Sequence, residues 1–244
     1  MNSPESRPNA IVVGATSGIG RSLALLFSKE GYRVGITGRR TALLEEVAGE
    51  MPGEVFVQSM DVTRDESVDE LEQLIVRMGG LDLFVYNSGV GYQNPELNLS
   101  RELETVATNV EGFTRLVNVA FRRFVAQGRG HLVGISSIAA NRGNRRAPAY
   151  FASKAYLSHY LQGLRQKCVH EKLPITVTDI QPGYVDTPMI DARKAFWVVG
   201  VEVAARQIAA AIRDKKPHAY VPRRWRLIAW LQKTVPDSLY NRFG

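Results

Sequence analysis

The sequence predicts an α/β fold, a doubly wound parallel sheet in one domain, and three observations carry that reading. Short runs rich in Val and Ile alternate with amphipathic stretches along most of the 244 residues. Those runs lack a clean polar–apolar alternation, as expected of strands buried on both faces. No internal repeat, low-complexity segment or Pro/Gly/Ser-rich linker divides the chain, so one sheet with helices on both sides is the simplest architecture.

In chain order, strands are predicted at 10–15, 33–38, 55–59, 82–86, 131–135, 175–180 and 219–221, with helices beginning near Gly18, Thr41, Asp65, Ser100, Ala149 and Val201. In the first helix Ile19, Leu23, Leu26 and Phe27 fall at i, i+4, i+7 and i+8, a stripe on one face. Residues 1–9 read as an extended or disordered tail, 10–221 as the sheet domain and 222–244 as a C-terminal amphipathic extension.

Composition narrows the classes further. Apolar residues make up 45% and charged residues 23%, enough for a sizeable core and against global disorder. Cys168 stands alone, so no intramolecular disulfide and no cysteine-based metal site can form. His131, His159, His170 and His218 show no ligand-like spacing, and no metal is expected. With neither a signal-peptide pattern nor an apolar run long enough to span a bilayer, a soluble, cytoplasmic protein is expected.

The net charge is +7, and residues 213–244 hold eight basic and two acidic side chains, nearly the whole excess. Within them, RRWRLIAWLQK at 223–233 mixes two tryptophans, aliphatics and cations. Packing on its own domain or a partner subunit is one reading; peripheral contact with a membrane interface is the other. Nucleic acid is not expected as a partner, because no recognition motif accompanies the local charge.

Directly after the first strand comes Gly14-Ala15-Thr16-Ser17-Gly18-Ile19-Gly20, opening a helix. Glycines there let the backbone turn sharply and approach a pyrophosphate, whose charge the helix N-terminus favours. The second strand ends in Gly38-Arg39-Arg40, where a carboxylate would select a ribose 2′-hydroxyl and arginine a 2′-phosphate. NADP(H) is therefore favoured over NAD(H), with Arg39 the principal reader; Arg40 also suits a solvated helix start. Asp61, followed by Val62, could accept from an adenine amino group or cap the segment that follows.

Tyr150 and Lys154 stand four apart, on one face of a helix, with Ser137 thirteen positions upstream. A lysine cation near a phenol favours the phenolate, and a serine hydroxyl can hold the oxygen that the phenol protonates. The trio points to acid–base chemistry at a carbonyl or alcohol.

Taken together, the 14–20 turn, Asp61-Val62, Asn87-Ser88-Gly89, Thr108-Asn109-Val110, Ser137, Tyr150…Lys154 and Gln181-Pro182-Gly183 resemble the short-chain dehydrogenase/reductase family in its compact, single-domain, Rossmann-type branch. The resemblance implies Tyr150 as general acid/base, Lys154 lowering its pKa and binding the nicotinamide ribose, and Ser137 orienting the substrate oxygen. It further implies that Asn109 holds a proton-relay water, that Asn87 and Gly89 border the nucleotide, and that Pro182, Gly183, Val185 and Thr187 line the nicotinamide. Val13 and Tyr86 depart from the family's usual Thr and Asn. A homodimer or homotetramer is implied, through the helices near Ser100 and Ala149.

An apolar small-molecule carbonyl or alcohol is the expected substrate. The alternatives are a 3-oxoacyl thioester on an acidic carrier and an NADP(H)-binding regulatory or membrane-associated protein without turnover. Arg142, Arg145 and Arg146 read first as a solvated loop, and otherwise as readers of an anionic handle, whether a carboxylate, a phosphate or an acidic carrier protein. Candidate substrate contacts are Tyr92, Ile138, Tyr184, Met189, Phe196 and Trp197, the last three on a lid at 189–199.

Overall fold

A computed structural model describes residues 7–187 and 196–243. Most of the tail at 1–9 and part of the lid, Met189 included, lie outside the described residues.

Seven strands form one parallel sheet: β1 (Asn9–Val13), β2 (Arg33–Gly38), β3 (Val55–Ser59), β4 (Leu83–Tyr86), β5 (Gly130–Ile135), β6 (Ile175–Pro182) and β7 (His218–Val221). Their spatial order is β3-β2-β1-β4-β5-β6-β7, so the winding direction reverses between β1 and β4. The crevice at the carboxyl ends of such a switch point is where this architecture accepts ligands.

Alternation along β1 explains the absent polar face. Ala10 and Val12 pack into one core with α1 (Gly18–Lys29), α2 (Thr41–Gly49) and α7 (Val201–Arg213). Ile11 and Val13 face the other, with α3 (Ser67–Arg77), α5 (Gly112–Gln127) and α6 (Pro148–His170). In the second core Phe113 meets Tyr86 edge-on at 5.2 Å and Tyr160 at 5.6 Å.

Three boundaries differ from the sequence expectation, each for a visible reason. β1 ends at Val13 because the amides of Gly14 and Ala15 both turn to Thr37 O, at 3.0 Å. α3 starts at Ser67 because Asp61 to Glu66 fold into turns, with Ser67 Oγ donating to Arg64 O at 2.6 Å. The helix expected from Ser100 is broken in two. α4 (Leu99–Val106) passes through a π-helical turn at Ala107–Glu111 before α5 begins. The extra residue of a π turn re-aims a side chain, here Asn109.

The C-terminal segment is helical and folds back on the domain as α8 (Trp225–Thr234) and α9 (Asp237–Phe243). Trp225 is buried while Trp230 is 65% exposed, so the segment takes up its own domain with one tryptophan only.

Candidate active site

A cleft of about 660 Å³ opens at the switch point. One end is the glycine turn. Gly14 (φ +82°) and Gly18 (φ +56°) adopt left-handed backbone that side chains resist. A Cβ on Gly20 would fall inside 3.0 Å of Gly14 O and reach Asn87 Nδ2 at 2.5 Å. Gly20 therefore serves close helix–strand packing and does not line the cleft. Asn87 Nδ2 donates to Gly14 O at 2.9 Å, which pins the turn from β4. The N-terminus of α1 carries no side-chain cap from Ser17 and opens into the cleft beside Thr16, Gly18 and Ile19. These amides fit a diphosphate.

Arg39 and Arg40 border the same end. Arg39 is exposed, whereas Arg40 donates to Thr16 Oγ1 at 2.7 Å and so braces the glycine turn. Asp61 lies two residues beyond β3 and accepts from the Thr63 amide (3.1 Å) and hydroxyl (2.8 Å), a turn-capping role. Burial pushes its pKa up, but those bonds and the nearby Arg39 and Arg64 hold it below the usual carboxylate range. Val62 and Gly89 also face the cleft.

The other end is built by α6 and the loops after β5 and β6. Pro148 begins α6 at a position where its missing N–H costs nothing. Tyr150 and Lys154 then point into the cleft one turn apart. Tyr150 lies beside Ser137, which is itself 8% exposed, accepts from Ala139 N at 3.1 Å to cap a short 3-10 turn, and donates to Pro182 O at 3.5 Å. Burial raises the Tyr150 pKa, the Ser137 hydroxyl offsets part of that, and the neighbouring Tyr184 adds to the rise. The lowering expected from Lys154 is not among these causes: its Nζ lies 5.8 Å from the Tyr150 ring centroid and donates to Ile135 O at 3.1 Å. Burial pulls the Lys154 pKa down to about 8, and Asp179 opposes that drop.

Asn109 does not reach the cleft wall. Its Oδ1 accepts from Val90 N at 2.8 Å, while its Nδ2 donates to Val90 O (2.8 Å) and Ser153 Oγ (2.9 Å). The side chain tethers the loop after β4 to α6, and both its polar atoms are engaged in that task.

Pro182, Gly183, Val185 and Thr187 line the wall opposite, and Tyr92 lines the mouth with its hydroxyl donating to Glu104 Oε1 at 2.8 Å. The remaining substrate candidates are placed otherwise. Ile138 opens the 3-10 turn outside the cleft lining. Tyr184, Phe196 and Trp197 gather around Trp225, with ring centroids 5.3, 5.1 and 6.0 Å from it.

Arg142 is engaged elsewhere. It donates to Gln232 O at 2.7 Å and to Val235 O, pairs with Asp237, and stacks over Tyr240 at 4.7 Å. Recognition of an anionic substrate by Arg142 is therefore corrected: it clamps the C-terminal helices to the loop after Ser137. The ninety-residue separation leaves no sequence signal for such a contact.

Sequence reasoning also passed over Asp179. Fully buried on β6, it accepts from Ser136 Oγ and, at 2.6 and 3.2 Å, from Ser158 Oγ and Gln181 Nε2. The one charged residue in the strand Ile175–Pro182 was the available signal. Among the described residues no cluster of His, Cys, Asp or Glu could hold a metal ion, and no helix is long and apolar enough to cross a membrane.

A parallel sheet with its cleft at the switch point, a glycine-lined helix N-terminus and a Ser–Tyr–Lys cluster define an oxidoreductase of the dinucleotide-binding class. Residues 8–196 match the family model described as short chain dehydrogenase, and the chain belongs to the short-chain dehydrogenase/reductase family. A Myxococcus xanthus protein described as an uncharacterized oxidoreductase is 38% identical over 186 residues, covering 74% of this chain and 73% of its own. Among solved structures, a 3-ketoacyl-(acyl-carrier-protein) reductase from Brucella melitensis complexed with NADH aligns with a TM-score of 0.79 at 24% identity, covering 88% of this chain and 98% of that one. An alcohol dehydrogenase from Thermococcus sibiricus complexed with 5-hydroxy-NADP aligns at 0.79 and 22%, covering 88% and 96%. At such identities these two speak to the fold alone.

Proposed function

We propose that the protein interconverts a carbonyl and an alcohol on an apolar small molecule, with NADP(H) as the nicotinamide partner. The observation that carries this reading is the cluster of half-buried Tyr150 with buried Ser137 and Lys154 along the cleft. The glycine turn and the α1 N-terminus would hold the diphosphate, Arg39 the 2′-phosphate, and Pro182 to Thr187 the nicotinamide end. When bound, the nicotinamide supplies or takes up the hydride.

The chain's own residues handle the proton. In reduction the substrate oxygen accepts a hydrogen bond from Ser137 Oγ and a proton from Tyr150 Oη, so that C=O becomes CH–OH. A phenol held above its usual range by burial is a reluctant base but a ready donor only when the phenolate it leaves is stabilised. The Lys154 cation serves that purpose, and near neutral pH it is mostly protonated. In oxidation the same phenolate takes the alcohol proton. Asn109, holding Val90 against α6, positions the loop that covers the site.

The acidic-carrier alternative loses Arg142, which is committed to the C-terminal helices. The non-catalytic alternative is separated by Tyr150→Phe. Calorimetric titration should give tighter binding of NADPH than of NADH, with Arg39→Ala removing the preference; equal affinities would refute the cofactor assignment. In a reductive screen of apolar carbonyls, Tyr150→Phe should lower turnover by roughly 10²–10⁴-fold while nucleotide binding persists. Retained turnover would refute the role of Tyr150.

A further inference from the structure

The outer face of α8 has no use in the fold described so far. Leu227, Trp230 and Leu231 fall at i, i+3 and i+4 and are 62%, 65% and 50% exposed. On the opposite face Trp225 and Ala229 are buried. Cations border the apolar stripe: Arg226 and Lys233 lie on one flank by helical rotation, and Arg224 on the other. Arg224 donates to Trp197 O at 3.0 Å, and its guanidinium lies 5.3 Å from the centre of the Trp197 ring. The rings of Phe196 and Trp197, 53% and 40% exposed, pack against Trp225 with centroids 5.1 and 6.0 Å from it.

Charge decides between occupants. Residues 223–243 contain five basic side chains and one acid, Asp237, and that acid is paired with Arg142. A second copy docked here by a two-fold axis would bring like-charged flanks together, which opposes association. An anionic lipid surface answers both the cations and the stripe, with the tryptophan at headgroup depth.

We propose that the outward face of α8 is a docking surface for anionic membrane lipid. The docking surface stands independently of the activity assigned above, because it requires no turnover.

The test is co-sedimentation of the full chain with vesicles of phosphatidylcholine alone and of three parts phosphatidylcholine to one part phosphatidylglycerol, at low and high salt. The expected result is binding to the anionic vesicles only, weakened by salt, and reduced roughly tenfold or more by Trp230→Glu and by Arg226→Glu/Lys233→Glu. Both variants change exposed side chains, and their melting curves should overlay that of the unaltered chain. Absence of binding to the anionic vesicles, equal binding to neutral ones, or binding that survives Trp230→Glu would overturn the proposal. So would a dimer in sedimentation velocity that Trp230→Glu dissolves without any vesicle binding, since the face would then belong to a second copy. Capture of an acidic protein in place of lipid would overturn it likewise.

Discussion

Replacing Gly183 by alanine tests how the wall of the cleft is joined to the C-terminal helices. A Cβ at this position would fall inside 3.0 Å of Cε2, Nε1 and Cδ2 of Trp225, closer than real Cβ atoms come to other groups. Trp225 is 2% exposed and ringed by Tyr184, Phe196 and Trp197, so the indole has nowhere to swing. The Gly183 amide is tied to Val221 O at 2.8 Å, which keeps the backbone from yielding instead. Overpacking of this kind costs about 1–3 kcal/mol. In a chain of this length each kcal/mol moves Tm by roughly 2–4 °C, so Gly183→Ala should lower Tm by roughly 2–12 °C. Calorimetric unfolding of Gly183→Ala, Trp225→Leu and the double variant makes the cycle. Trp225→Leu loses buried area on its own but opens room for the methyl group, so the double variant should be more stable than the two separate losses predict, by at least about 1 kcal/mol. An unchanged Tm for Gly183→Ala, or strict additivity in the double variant, would refute the contact.

Asp179→Asn should cut turnover about tenfold and move the alkaline limb of its pH profile to lower pH, because Lys154 loses the anion that keeps it protonated; Arg165 and His218 feel the same carboxylate. An unshifted limb would mean that Asp179 serves only to hold Ser136 and Ser158. His131, bonded to Thr178 Oγ1 at 2.8 Å, has its pKa lowered to about 4, chiefly by burial and secondarily by Lys215. The unfolded chain therefore binds the extra proton between pH 6.5 and 4, and stability should fall across that window by at most about 3 kcal/mol. His131→Gln, followed by denaturant titration at each pH, should flatten the fall. Arg142→Ala should speed proteolytic cutting within 222–243 several-fold while hardly moving the main unfolding transition, since it frees two backbone carbonyls and Asp237 at the surface.

The sheet was legible because both-face burial leaves apolar strands with no polar alternation, as in β1 and β4. Glycine placement announced the α1 turn, since few residues tolerate the backbone at Gly14 and Gly18. Helical spacing put Tyr150 and Lys154 on one face, but only the ordered motifs around them, from the 14–20 turn to Gln181-Pro182-Gly183, singled the pair out. Their electrostatics were not legible, because the Tyr150 phenol is shifted by desolvation in the folded cleft and by Tyr184, 34 residues further along the chain. Asn109 could be seen as unusual, but its partners, Val90 and Ser153, emerge only when the π turn is in place. The sequence mixes tryptophans, aliphatics and cations in the C-terminal segment, yet which tryptophan faces inward is decided by the hollow beside Gly183. Long-range closure of that kind has no local signature.

The clamp on Arg142 also has a consequence in time. Arg142 is joined to Gln232, Val235 and Asp237, 90 to 95 residues further along the chain. At typical rates of synthesis, that stretch takes on the order of 5–20 s to emerge from the ribosome. A nascent chain can assemble β1 to β4 and the glycine turn well before the loop after Ser137 has its anchors. Nucleotide contacts on this half would then be in place while the substrate side still lacks its final support, so a stalled or shortened translation product should compete for cofactor without being able to turn it over.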